Sequence, residues 1–205
     1  MKNIVRFFKN MILRIRHRKV VRELPKLAAV IPEPHRDLIV LDTETTGLDW
    51  KKDDLLQVSI VDGNGELIFN EYMRPLRKLS WPGAQRVNGI SPEMVAGCPT
   101  VSAYLSTLQA ILDSADRIGG YNTSFDLDFL KAAGLRVGNQ EVIDVMEEFA
   151  PIYGEYSEKY GKYKWQKLTR CAEYYGYDWG SGRAHDSLAD ARATLFCLKK
   201  IRNAV

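Results

Sequence analysis

Long apolar runs are missing from this chain, and with them the usual mark of an integral membrane protein. No uncharged apolar stretch approaches the ~18 residues that a membrane-spanning helix needs. The N-terminus is basic, but Arg6, Lys9 and Arg14 interrupt what would have to be the apolar core of a secretory signal. Cysteine is scarce as well. Cys98, Cys171 and Cys197 are odd in number and far apart, with no CxxC pair and no zinc spacing. That argues against a disulfide-stapled scaffold and for free, buried thiols in a reducing compartment, with a cytoplasmic location as the expectation. Internal repeats and low-complexity segments are absent too.

A strong overall charge is also lacking. The formal value of +3 hides an uneven distribution. Residues 1–26 carry nine Lys or Arg against the single Glu23, whereas residues 27–205 hold 20 basic and 25 acidic residues. A slightly acidic body with a basic arm does not bind nucleic acid by bulk charge alone. If such a body handles phosphates, it needs bound cations to offset their charge. At 205 residues and 45% hydrophobic, the chain can bury the core of one domain of ordinary size.

What is present divides into an extension over residues 1–36 and a body over residues 37–205. In the extension, Ile4, Phe8, Met11 and Ile15 fall at helical spacing, with Lys2, Arg6 and Lys9 on the opposite side. Such a basic amphipathic helix either meets a membrane surface, a nucleic acid or a partner protein such as a polymerase, or packs its apolar stripe on the body. Ile31-Pro32-Glu33-Pro34 reads as a stiff linker.

The body opens on Leu38-Ile39-Val40-Leu41, a continuous apolar run of the kind a buried central strand requires, which ends at Asp42-Thr43-Glu44-Thr45-Thr46-Gly47. Residues 55–61 and 66–73 read as two further strands. The Asp62-Gly63-Asn64-Gly65 turn between them makes that pair antiparallel. Helical pieces are expected over residues 81–112, with starts at Ser91 and Thr100, and a short strand over 116–120. A helix follows over 124–133, and Asp144-Val145-Met146-Glu147 resembles a capping box. Residues 153–163 lack periodicity and read as a surface loop or lid; the last helices cover 165–175 and 187–201. Strands first, then helices interleaved with strands, predict an α/β domain with a mixed sheet.

Three polar clusters carry chemistry. Asp42 and Glu44 are two apart in a strand, so both carboxylates leave the same face. Taken singly, the pair is either a solvated strand end or a site for a hard divalent cation, Mg²⁺ or Mn²⁺ rather than Zn²⁺. Asp126, in Tyr121-Asn122-Thr123-Ser124-Phe125-Asp126, sits near a helix start where the dipole favours an anion. His185 follows the flexible Gly180-Ser181-Gly182, and Asp190 lies a little beyond one turn into the next helix. Histidine is the side chain whose ordinary titration range suits a general base.

Four acids and one histidine in the order D-x-E, D, H-x4-D resemble the DnaQ-like exonucleases, the DEDDh branch of the ribonuclease-H-like superfamily. The matching stretches are DTETTGL over residues 42–48, NTSFDLDFL over 122–130 and HDSLADA over 185–191. The resemblance implies a five-stranded mixed sheet flanked by helices and a 3′–5′ exonuclease releasing nucleoside 5′-monophosphates. It implies that Asp42, Glu44, Asp126 and Asp190 ligate two Mg²⁺ ions, with Mn²⁺ a plausible substitute, and that His185 takes the proton from the attacking water. Thr45, Thr46, Gly47 and Leu48 would then meet the terminal nucleotide, with Asn88 and Phe125 as further substrate contacts, although core packing explains Phe125 equally well. In two places the chain departs from the family pattern: Asn88 and Tyr121 stand where histidine is common. The expected substrate is the 3′ end of single-stranded DNA. RNA and a catalytically silent nucleic-acid-binding module are the competing readings, since discrimination at the 2′-OH cannot be read from spacing.

Overall fold

A computed structural model describes residues 33–180, 182 and 184–203. The amphipathic segment expected near the N-terminus, and Ser181 of the glycine-containing loop, lie outside them. The apolar run at Leu38 extends into a strand, β1 (Arg36–Thr45), in which Ile39, Val40 and Leu41 are completely buried. Burial on both faces is what a central strand requires. β1 pairs antiparallel with β2 (Leu55–Asp62), which pairs antiparallel with β3 (Leu67–Tyr72) through the expected tight turn. On its other edge β1 pairs in parallel with β4 (Ala115–Gly120), and β4 with β5 (Glu141–Asp144). The sheet order is therefore β3-β2-β1-β4-β5, the mixed five-stranded sheet the motifs implied.

Helices cover both faces. The crossover from β3 to β4 contains α1 (Pro82–Asn88), α2 (Pro92–Val95), a 3₁₀ turn (Val101–Ala103) and α3 (Leu105–Asp113). It is more broken than the two pieces expected. Pro92 and the left-handed Gly89 interrupt it, and Trp81 Nε1 ties its start to the Ile90 carbonyl at 2.8 Å. α4 (Thr123–Ala132) follows β4 directly, α5 (Val145–Tyr153) follows β5, and α6 (Leu168–Tyr175) and α7 (Ser187–Asn203) complete the domain.

The pleat of β1 divides the core. Ile39 and Leu41 pack with Leu108, Leu112, Leu127 and Leu130 of α3 and α4 on one side. Val40 packs with Val61, Ala191 and Leu195 of α7 on the other. A further cluster joins Phe149 of α5 to Cys171 of α6 and to Cys197, Leu198 and Ile201 of α7, so both of these cysteines are buried free thiols as expected. Among the described residues, no helix is long and apolar enough to cross a membrane.

Two expectations need correction. The segment read as an irregular loop or lid carries a small antiparallel hairpin, β6 (Tyr156–Ser157) against β7 (Lys162–Tyr163). Two residues per strand are too few for an alternating pattern to be visible in sequence. The helix expected from residue 165 begins at Leu168, because Lys167 is extended (φ −70°, ψ 152°) and Trp165 lies on the surface ahead of it.

Candidate active site

The strand alternation that splits the core also sorts the acids. Asp42 and Glu44 share the face of Val40, the side covered by α7, and Asp190 in the first turn of α7 comes down onto them. One carboxylate oxygen from each of Asp42, Glu44 and Asp190 lies within 4.8 Å of the others. Asp126 belongs to α4, on the opposite face, and reaches the site around the end of β1. Its Oδ1 accepts from the Thr43 backbone N–H at 2.9 Å and from the Thr43 hydroxyl at 2.7 Å. Asp126 therefore stands beside the trio, fixed by the residue between its two strand acids.

Neighbouring groups hold these side chains in place. Ser59, the cross-strand partner of Asp42, shares a 2.6 Å hydrogen bond with Ser187, which pins the start of α7 to the sheet. The ladder between β1 and β2 shifts register at Glu44 and Thr45, bending the strand as it leaves the sheet. Asp144 caps α5 through the Met146 N–H and grips the start of α4 through the Asn122 and Thr123 N–H groups, each at 3.0 Å. Asn122 and His185 are non-glycine residues in the left-handed region (φ 64° and 68°), a conformation costing ~1–2 kcal/mol. The His185 N–H donates to Asp190 Oδ2 at 3.1 Å, so the strained residue is tied to an acid of the trio.

Crowding so many carboxylates at a buried strand end has an electrostatic consequence. Burial first, then repulsion from Asp126, Asp190 and Glu44, holds the Asp42 carboxyl well above the usual range. Burial and Asp190 push Glu44 up to about 8, against the opposing pull of a hydrogen bond from Asn88. Burial raises Asp126 to about 7 despite the two Thr43 donors, and Asp190 to about 7 despite the His185 N–H. Asp190 Oδ1 is buried without a hydrogen-bond partner. An acceptor left unpaired beside two other carboxylates, in an all-oxygen donor set, is chemically suited to a divalent cation such as Mg²⁺ or Mn²⁺.

The remaining expected site residues divide. His185 is exposed and, with Asp190, lines a cleft of about 480 Å³ shared with Tyr121, Met146, Trp165 and Leu168. Leu48 is 86% exposed beyond the strand end. Thr45 and Thr46 are buried: the Thr45 hydroxyl donates to the Gly47 carbonyl, and the Thr46 hydroxyl to Asp53. Asn88 is buried against the site, bonded to Glu44, to the Thr45 carbonyl and to the Ile90 N–H. Phe125 packs on the main core, its ring 5.0 Å from that of Phe129 and tilted 49° to it.

Gly47 has a reason that the sequence did not reveal. A Cβ there would sit 2.6 Å from Asp53 Cγ, and Asp53 is itself buried and paired with Lys78 at 2.7 Å. The loop after β1 is thus wrapped around a structural ion pair. Gly47→Ala is expected to cost about 1–3 kcal/mol, the usual cost of overpacking, and to lower the melting temperature by several degrees in a calorimetric scan. Asp53, Thr43, Ser59 and Ser187 all escaped the sequence reading. Each acts through a partner distant in the chain, and only Thr43 and Ser187 lie inside the motifs DTETTGL and HDSLADA.

A mixed five-stranded sheet with acids gathered at the exit of its central strand is the architecture of a ribonuclease-H-like nuclease domain. The chain matches the exonuclease family RNase_T over residues 39–197 and belongs to it. That is the DnaQ-like grouping the three motifs implied. It is 30% identical to an uncharacterised exonuclease, CP81, of Escherichia phage 186, over 78% of this chain and 84% of that protein. It is 29% identical to a PolC-type DNA polymerase III of Latilactobacillus sakei over 80% of this chain, which spans only 11% of the polymerase. Among solved structures it resembles exonuclease X in complex with 5′-overhanging duplex DNA (TM-score 0.62, 21% identity, 82% of this chain and 92% of that one). It also resembles E. coli exonuclease I bound to a dA16 oligonucleotide (TM-score 0.68, 19% identity, 82% and 41%).

Proposed function

We propose that this exonuclease works from the 3′ end of DNA, hydrolysing the terminal phosphodiester to a nucleoside 5′-monophosphate and a new 3′-hydroxyl. The observation that carries this reading is the trio Asp42, Glu44 and Asp190, with ligating oxygens within 4.8 Å and a buried Asp190 oxygen that lacks a partner. Those three, with Asp126 beside them, would hold two divalent ions, Mg²⁺ by the hardness of the donors. When bound, such ions supply the positive charge that activates water and offsets charge on the attacking and leaving oxygens of an in-line displacement. His185, exposed at the rim of the same cleft, takes the proton from the attacking water. Asn88 and Thr43 hold Glu44 and Asp126 in position, and Leu48 offers the terminal base an apolar face.

DNA as substrate is supported by the two DNA-bound structural neighbours. The PolC-type relative supports a polymerase as one candidate partner, with the basic residues 1–26 as the contact. A time course on single- and double-stranded DNA and RNA of one sequence, labelled at the 3′ or 5′ end, with Mg²⁺ or EDTA, tests the reading. Mononucleotides released first from the 3′ end of DNA, only with Mg²⁺, are the expected result. Release from the 5′ end, or cleavage of RNA alone, would overturn it.

A further inference from the structure

Between α5 and α6 the chain builds something that the hydrolytic site does not require. Residues 153–170 hold the cations Lys159, Lys162, Lys164, Lys167 and Arg170 against Glu155 and Glu158, in a body that is otherwise net acidic. The same stretch carries Tyr156, Tyr160, Tyr163 and Trp165, all exposed; Tyr160 is 66% and Trp165 54% accessible. Two contacts hold together the hairpin that displays the three tyrosines. Tyr156 and Tyr163 face each other across it with rings 5.3 Å apart at 78°, and Glu155 ties its base to Lys164 at 2.7 Å. Its two ends leave α5 and α6, both anchored in the core around Phe149 and Cys171.

Charge and aromatics interleave here. Lys159 Nζ lies 5.0 Å from the Tyr160 ring and Lys162 Nζ 4.5 Å from the Trp165 ring. Glu155 takes up Lys164 and Glu173 takes up Arg170, which leaves Lys159, Lys162 and Lys167 without a carboxylate partner among the described residues. Trp165, Gln166 and Lys167 border the cleft that contains His185 and Asp190, and also a second groove of about 470 Å³ running towards Arg170. The aromatic and cationic surface is thus continuous with the candidate active site.

We propose that the β6–β7 hairpin and Trp165 form a docking platform for single-stranded nucleic acid upstream of the scissile phosphate. Bases stack on Tyr160 and Trp165 while Lys159, Lys162 and Lys167 meet the phosphates. An aromatic ring accepts any base on its face, and ammonium groups without a carboxylate partner neutralise a backbone without reading sequence, which suits a strand that must slide after every cut. Duplex DNA hides its bases from such rings, so the platform selects unpaired strands. This inference rests on the exonuclease reading and adds the strandedness of the substrate to it.

The test separates binding from chemistry. Fluorescence anisotropy in EDTA follows a 5′-fluorescein oligothymidylate of about twelve nucleotides binding to the full chain. Hydrolysis of the p-nitrophenyl ester of thymidine 5′-monophosphate with Mg²⁺ reports the site without the strand. Lys159→Ala/Tyr160→Ala, at the hairpin tip, should weaken oligonucleotide binding roughly tenfold, and Trp165→Ala similarly, with Trp165→Phe restoring most of the loss. Each lysine removed from a phosphate should reduce the slope of log affinity against log salt by about 0.7. Ester hydrolysis by the tip variant should equal that of the unaltered protein. Unchanged affinity and salt slope in both alanine variants, with ester hydrolysis intact, overturn the platform alone. Weakened binding in a chain that hydrolyses neither substrate keeps the platform and overturns the exonuclease reading.

Discussion

Asp42→Asn should abolish turnover and, in the absence of metal, make the protein more stable. The two effects have one cause. Asp42 is where burial and the repulsion of Asp126, Asp190 and Glu44 converge, so its charge is tolerable only when cations share the site. Asparagine keeps the shape and removes the charge. Metal-assisted charge stabilisation worth several kcal/mol disappears with it, so kcat on a 3′-labelled oligonucleotide should fall on the order of a thousandfold. In EDTA at pH 8, where the wild-type acids repel one another, the variant should melt at a higher temperature. A residue serving structure alone would behave in the opposite way, with stability lost and activity reduced only in proportion. Retention of Mg²⁺-dependent nucleotide release by this variant would remove Asp42 from the chemistry.

The second large effect is a coupling of pH, metal and stability. Glu44 is raised to about 8 and Asp126 and Asp190 to about 7, and Asp42 is raised as well. In the unfolded chain all four titrate near pH 4. Between about pH 4 and pH 8 the metal-free folded protein therefore holds protons that the unfolded chain has released. Stability contributed by these groups is complete below pH 4 and is lost as pH rises through the folded values. Asp53 does not offset this. Burial alone would raise it, but hydrogen bonds from Lys78, the Asp49 N–H and Thr46 bring it below its usual value, so its contribution is already constant across the window.

Mg²⁺ competes with those protons, and its stabilisation should be small at pH 5 and large at pH 8. At a hundred times its dissociation constant, it should contribute ~2.7 kcal/mol and raise the melting temperature by about 5–10 °C. Calorimetric scans at several pH values, with Mg²⁺ and with EDTA, measure both trends. A metal-free protein that gains stability from pH 5 to pH 8 and ignores Mg²⁺ would show that the acids do not form the expected pocket.

How much of this was legible in sequence depended on the range of the interaction involved. Asp42 and Glu44 share a face because strand side chains alternate, which local periodicity states outright. The turn at Asp62-Gly63-Asn64-Gly65 and the cap at Asp144 were equally local and were read correctly. The loop expected over 153–163 went astray because a two-residue strand pair leaves no pattern long enough to detect, and the helix expected from residue 165 starts late because Lys167 is extended. The close approach of Asp53 to Gly47 is a tertiary contact that no local pattern announces. Asn88 and Phe125, expected as substrate contacts, also have partners within the fold. Asn88 is held against Glu44, and Phe125 leans on Phe129.

The order of acids along the chain, the alternation that aims two of them and the polar residues that begin each helix are properties of the sequence itself. They sufficed to indicate the exonuclease family. Folding alone decided that Asp190 joins Asp42 and Glu44 from one side of the sheet while Asp126 arrives from the other, held by Thr43. Folding also brought Ser59 to Ser187, Asp53 under Gly47 and Trp165 to the rim of the cleft. Each of these contacts depends on which face of β1 an element packs against, and the burial of distant apolar residues sets that choice.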